Sequence, residues 1–275
     1  MDSKSPTNWI DLPMEMRVEC VKKMDFESRM MLRDTSHTEK LIVESAPMIH
    51  FHSIEISLWD STSIKYQRVE SEEMLMKHLS PASKDCQLVA QILKLTVIDH
   101  FALYAVRPDF YQKFILASKG PYRMKSVKLD TRSPKIADHF LKNCEGVEKI
   151  VLMRPFQRDL ASYPSVVNAK NVDLQFSGDP YCLCELIKKW IENDVEIGKS
   201  LEIRLSRHKG LQFHSSLVSK FANRVHYRDL QLYRSKLCLR MDNDSKHIRI
   251  EEHYFYKYAR YYNYSVTVVA SSEVH

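Results

Sequence analysis

The chain has 275 residues, of which 44% are apolar and 28% charged, with only five Gly. That is ordinary globular composition with room for a sizeable core, and too little glycine for a loop-dominated chain or a Gly-rich phosphate cradle. The net charge of +6 comes from 41 basic and 35 acidic residues, without a run of five basic residues, so it is not the footprint of a dedicated nucleic-acid binder.

No apolar run of about 18 residues is present, which excludes a helical membrane span. The opening Met-Asp-Ser-Lys-Ser-Pro-Thr-Asn has no signal-peptide core, so a cytosolic or nuclear protein is expected. The cysteines Cys20, Cys86, Cys144, Cys182, Cys184 and Cys238 are then expected as free, largely buried thiols. Cys182 and Cys184 form the one close pair, and a structural zinc site wants two such pairs or nearby His. His50 and His52 enter a predicted strand and lack nearby carboxylates in the sequence. No metal or cofactor is expected.

Leu12, Met16, Cys20 or Val21, and Met24 recur at steps of about four and line one face of a helix. Pro13 suits its first turn. Asp25 precedes a second short helix carrying Phe26, Met30, Met31 and Leu32. Ser36 to Glu39 is a capping-box pattern that opens a third, with Leu41, Ile42 and Ala46 available for packing. Three short helices cannot hide this much apolar surface alone.

This stretch resembles an F-box. Leu12-Pro13 with Glu15 matches the family's opening Leu-Pro-x-Glu. Val21 and Met24 fall on its Ile-Leu-x-x-Leu positions, with Cys20 in place of the Ile. Leu32-Arg33 matches the later Leu-Arg, and Ser36 the Ser that follows. With the basic, Tyr- and Phe-rich remainder, the chain looks most like the nematode-type F-box proteins with an F-box-associated C-terminal domain. Two positions depart from the pattern. Arg29 stands where the family usually has Leu, and Glu39 where it often has Trp. The Arg29 guanidinium is expected to reach water past the apolar rim, and Arg29→Leu to tighten the partner contact if that position faces the partner. The resemblance implies an F-box over residues 8–48, a strand, hairpin and connector over 49–85, and an F-box-associated domain over 86–275. It implies docking on the Skp adaptor of a cullin–RING ubiquitin ligase, through Leu12, Pro13, Met16, Val21, Met24, Met30 and Leu32.

Next along the chain, Ser53 to Trp59 alternates apolar and polar as a strand does, Asp60 to Ser63 is turn chemistry, and Ile64 to Val69 is its hairpin partner. Glu70 to Asp85 reads as a connector with a short helix over Glu72 to Leu79. Predicted strands follow at Leu93–Val97, Val127–Leu129, Ile150–Leu152, Val172–Phe176, Leu201–Leu205 and Leu230–Leu232. The inward positions Val127, Ile150, Val172, Leu201 and Leu230 step by 22 to 29 residues. That period is leucine-rich-repeat-like, one strand plus one helix per unit. Helices are predicted over Asp109–Ser118, Pro134–Asn143, Pro164–Ala169, Asp179–Glu192 and Leu211–Ala222. A non-repetitive α/β domain would alternate in the same way, and both give a mostly parallel sheet. Lys236–Met241 and Lys246–Ile250 flank a turn at Asp242–Ser245 and read as an antiparallel hairpin, with a last strand at Val266–Ala270. The expected class is therefore α/β: a three-helix F-box, then a leucine-rich-repeat-like, mostly parallel domain closed by an antiparallel hairpin.

No Gly-x-Ser-x-Gly, phosphate-cradling loop or His-Glu-x-x-His is present, and His139 with Cys144 is the one suggestive pair, so an interaction protein is expected and not an enzyme. Alternation places Lys128, Asp173, Gln175, Glu202, Arg204 and Gln231 on the outward strand face as candidate contacts for a protein target. The alternative is a nucleic-acid-binding module that stacks bases on the six Tyr between Tyr254 and Tyr264.

Overall fold

The computed structural model describes residues 8–58, 62–69, 73–78, 83–105, 118, 120–154, 159–175, 179–231, 234–253 and 261–274. Three helices open it: α1 (Met14–Lys23), α2 (Phe26–Arg33) and α3 (His37–Ser45). Their starts are set locally. Asp25 accepts from the Ser28 N–H at 2.7 Å and Ser36 from the Glu39 N–H at 3.1 Å, each satisfying a helix donor that has no intrahelical partner. Pro13 sits one place earlier than its sequence suggests, as the extended N-cap of α1. Glu39 turns inward, with a carboxylate oxygen 3.8 Å from Arg17, so the far half of the capping box is given up for an ion pair.

Beyond the helices lies a single large mixed sheet. β1 (Ile49–Leu58), β2 (Thr62–Arg68) and β3 (Met74–His78) form an antiparallel meander at one edge. After α4 (Ser83–Leu95), β4 (Thr96–Ala105) returns parallel to β1. β5 (Tyr122–Thr131), the two-residue β6 (Cys144–Glu145), β7 (Lys149–Leu152), β8 (Asn171–Gln175) and β9 (Ser200–Ser206) continue the parallel run. Among the described residues, three helices make crossovers in this run: α5 (Pro134–Asn143), α6 (Pro164–Asn168) and α7 (Pro180–Glu192). After α8 (Arg207–Lys220) the chain adds β10 (Val225–Gln231), β11 (Arg234–Arg240), β12 (Lys246–His253) and β13 (Tyr261–Ala270), all antiparallel. The strand order is β10-β11-β12-β13-β9-β8-β7-β5-β4-β1-β2-β3, with β6 on β5.

The core fills one face of this sheet. Phe140 of α5 stacks on Phe101 with ring centroids 5.0 Å apart and lies 5.5 Å from Tyr122. Trp190 and Ile187 of α7 are fully buried, and Phe213 of α8 meets Tyr264 edge to face at 5.2 Å. The helical module joins at the other end, where Phe26 of α2 packs edge to face on Phe51 of β1 at 6.1 Å. Gly210 of α8 lies against Tyr262 and Tyr264, and a Cβ there would stand 2.7 Å from the Tyr262 ring, which is why the helix can come so close.

Three expectations are corrected. The segment read as a helix over Glu72–Leu79 contains strand β3, because backbone pairing with β2 overrides the helix preference of Met, Leu and Lys. The strand read at Leu93–Val97 starts only at Thr96. Val89, Ile92 and Leu93 are buried at helical spacing, and the Thr96 hydroxyl donates back to the Ile92 carbonyl at 2.7 Å where helix turns into strand. The step from Leu201 to Leu230 is no repeat unit, since β13 inserts beside β9 and sends β10 to the far edge. The helix predicted over Asp109–Ser118 falls, except for Ser118, outside the described residues.

Candidate functional site

Two surfaces collect the residues that the sequence singles out. The first is the helical module. By helical spacing Pro13, Met16 and Cys20 form one stripe on α1, and all three are exposed. Met16 is 53% exposed, Met14 51%, and Met31 of α2 67%. Ile10 and Leu41 are also open to solvent. Leu12, Met24 and Leu32 are half-buried. Val21 and Met30, expected as partner contacts, are interior side chains; they hold the module together and present no free surface. Ile10, Met14 and Leu41 were not singled out as contacts, and Met31 only as a packing residue. An apolar residue on a short helix carries no sign of which side the next element will cover.

Arg29 also differs from expectation. It is buried, and its guanidinium donates to three carbonyls: Pro47 at 2.7 Å, Lys22 at 3.0 Å and Met24 at 3.3 Å. It closes the C-terminal end of α1 and ties it to the segment entering β1. Burial, with a smaller push from Arg68, lowers its pKa from the ordinary value.

The second surface is the sheet face opposite the helices. Register puts Lys128, Val151, Asp173 and Glu202 in one row across four adjacent strands, with Gln175 beside Arg204 in the next. The five described side chains expected for target contact therefore do come together. Gln231 does not join them: it lies on edge strand β10, and its side chain is outside the described residues. Lys128 sits over the Tyr104 ring at 5.3 Å and Arg204 over Tyr261 at 5.0 Å. Asp173 and Glu202 stand directly opposite each other. Glu202 is exposed as a residue, but partial desolvation of its carboxyl, then the Asp173 charge, pushes that group above its usual range. Tyr104 and the Arg154–Asp130 pair at 2.6 Å also belong to this face and were not anticipated.

A local irregularity adds to it. The register shifts between Phe51 and Ser53, and buried positions step by three in β1 (Phe51, Ile54), β4 (Ile98, Phe101) and β5 (Met124, Val127). Beside it, Asp99 of β4 bonds His50 at 3.0 Å and Lys125 at 2.8 Å, with His52 at 3.8 Å. The sequence places no carboxylate near the two histidines; the neighbouring strand supplies one. Burial opposes the charge on Asp99, but the bonds from Lys125 and His50 outweigh it and hold the carboxyl below its ordinary value. Among the described residues no group of three or more His, Cys, Asp or Glu is disposed to hold a metal ion.

His139 and Cys144 do not act on each other. His139 Nε2 bonds the Tyr122 hydroxyl at 2.7 Å, and the Cys144 thiol lies 3.9 Å from the Met124 sulfur. Burial pushes that thiol up to about 12, the reverse of what a nucleophilic cysteine requires. Cys184 is buried in the core face of α7, and Cys20, Cys144, Cys182, Cys184 and Cys238 are all free. Of the Tyr cluster, Tyr262 and Tyr264 are buried, which removes them as stacking platforms; Tyr254, Tyr256 and Tyr258 lie outside the described residues. No described helix is long and apolar enough to cross a membrane. No family model matches the chain, and no curated protein matches it.

Proposed function

We propose that this chain is a substrate-recognition adaptor of a Skp–cullin–F-box type ubiquitin ligase. Its N-terminal helices grip the Skp adaptor, and the outer sheet face holds the protein to be modified. The adaptor makes and breaks no bond. It raises the effective concentration of target lysines near the charged conjugating enzyme. The observation that carries this reading is the set of large apolar side chains left in water on a module of three short helices, Met14, Met16 and Met31 foremost. Exposed methionine and isoleucine on so small a module mark a surface that a partner covers.

Titration of purified Skp adaptor against the full chain tests it. Met16→Glu places a charge in the contact while leaving the free protein intact, because Met16 is already exposed. Losing one packed anchor costs about 2 kcal/mol or more, or roughly 30-fold in affinity. The double variant Leu12→Ala with Pro13→Ala should abolish co-purification. Absence of wild-type binding at micromolar concentration, or equal binding by both variants, defeats the proposal. A phosphate-driven nucleic-acid contact would weaken steeply with salt, whereas this apolar one should not.

A further inference from the structure

A cavity of about 660 Å³ lies between the helical module and the start of the sheet. Its walls are the end of α1 (Lys22, Lys23, Met24), Arg29, the Pro47–Met48 connection, Ile49 and His50 of β1, and Arg68 and Val69 at the end of β2. Among the described residues that line it, four side chains are cations and none is a carboxylate. Their charge is poorly compensated. Lys22 is paired with Glu19, but Arg29 spends its bonds on backbone carbonyls, which leaves N–H donors over, and Lys23 has no ion-pair or hydrogen-bond partner among the described residues. The Arg68 Nε is shielded from solvent and finds no acceptor among the described residues, a costly state for a donor inside a protein. Of the nearby carboxylates, Asp25 caps α2 through the Ser28 N–H and hydroxyl and offsets the Arg68 charge only in part, and Asp99 holds His50 and Lys125.

Cations gathered around an open space, with a donor left unsatisfied, are the complement of a multiply charged oxyanion. We propose that this cavity is a binding site for a phosphate-class anion carrying more than one negative charge, gripped chiefly by Arg68, Arg29 and Lys23. Arginine suits the task because its planar fork meets two phosphoryl oxygens at once. The volume exceeds that of inorganic phosphate and falls within the range of pockets that hold small organic ligands, so a diphosphate or a phosphoryl group on a larger body fits. Because α1, the connection to β1 and the end of β2 all contribute walls, an occupied site braces the module against the sheet.

The site shares Met24 with the residues expected at the Skp contact, but its gripping cations Arg68, Arg29 and Lys23 are not among them, so its test is separate. Inorganic pyrophosphate is titrated calorimetrically into the full chain at low ionic strength. One site per chain is expected, with at least a tenfold loss in Arg68→Ala, a smaller loss in Arg68→Lys, and none in Lys188→Ala, a surface control on α7. Thermal midpoints without ligand check that each variant is folded, and Arg68→Lys serves if the alanine variant is not. Displacement of pyrophosphate by a phosphoserine peptide, but not its unphosphorylated form, assigns the natural phosphoryl group to a protein; failure of both to displace assigns it to a free organic phosphate. Either result keeps the site. The proposal is overturned if wild type takes up no pyrophosphate at millimolar concentration, or if Arg68→Ala and Lys188→Ala bind it equally.

Discussion

Arg29→Leu separates two accounts of the helical module. If the guanidinium projected to the proposed Skp partner, leucine would tighten that binding. In the structure it points inward and satisfies the carbonyls of Pro47, Lys22 and Met24 at 2.7, 3.0 and 3.3 Å. A hydrogen bond to a charged group contributes about 1.5–3 kcal/mol, and these three share one donor group, so they do not add. Removing the buried cation also relieves a desolvation cost, the same cost that lowers its pKa. A net loss of about 2–4 kcal/mol remains, because three carbonyls are stranded by a side chain that cannot donate. For a chain of this size each kcal/mol moves the thermal midpoint by about 2–4 °C, so a fall of roughly 5–15 °C is expected. Urea unfolding, with hydrogen exchange followed at the amides of α1 and the Pro47 connection, locates the loss. Arg29→Lys should recover part of it, since an ammonium reaches fewer of the three acceptors. Unchanged unfolding and exchange in Arg29→Leu, together with tighter Skp binding, would refute the inward role.

Three further outcomes are expected. Lys199 is buried against the Trp190 ring at 5.4 Å, and burial pulls its amine down to about 8, so at pH 7 the fold carries a poorly solvated cation; Lys199→Met should stabilise by about 1–2 kcal/mol there. Because a depressed lysine contributes its stability above the unfolded pKa and loses it as pH falls through the folded value, the gain should shrink as pH rises past about 8 towards 10. Glu202→Gln should stabilise at pH 7 by a few tenths to about 1 kcal/mol, and the gain should fade at acid pH: a raised carboxyl contributes stability below its unfolded pKa and loses it as pH rises through the folded one. Finally, burial depresses His139, His214 and His247, so the unfolded chain binds protons that the folded chain does not; denaturant midpoints should fall as pH drops below about 6.5, and His139→Gln should flatten that slope.

What could be read in advance follows the range of the forces involved. Helix α7 was legible to the residue because its signals are local: the Asp179 cap accepts from the Tyr181 N–H at 2.9 Å, Pro180 takes the first turn, and Leu183, Leu186, Ile187, Trp190 and Ile191 all face the core. The Lys246–Ile250 hairpin arm was legible for the same reason. Strand β3 was not, since Met74 to His78 have no alternation of burial and become a strand only by pairing with β2. The insertion of β13 between β9 and β12 could not be read from period, because sheet order is decided by which edges meet after the helices have packed. The outward residues Lys128, Asp173, Gln175, Glu202 and Arg204 followed from period-two alternation alone. The ion cluster around Asp99 did not, as His50 and Asp99 are 49 positions apart and meet only across the β1–β4 pair.

The connection between the two surfaces bears on the proposed function more than either surface does alone. α3 ends at Ser45 and β1 begins at Ile49, so Ala46, Pro47 and Met48 are the whole covalent link. A link that short, with a proline in it, has little freedom to begin with. The Pro47 carbonyl is held by Arg29, Ala46 is buried, and Phe26 is fixed on Phe51, which removes what remains. β1 then carries that orientation directly into the parallel run through β4 and β5. An adaptor working by proximity gains from this, because effective concentration falls when the bound target can wander over many orientations. Inserting four Gly-Ser residues after Pro47 should therefore leave the affinity for Skp adaptor and for target each within a few-fold of wild type, while ubiquitin transfer to the tethered target drops by more. Transfer at the wild-type rate through the lengthened link would mean that the rigid joint serves the stability of the chain alone.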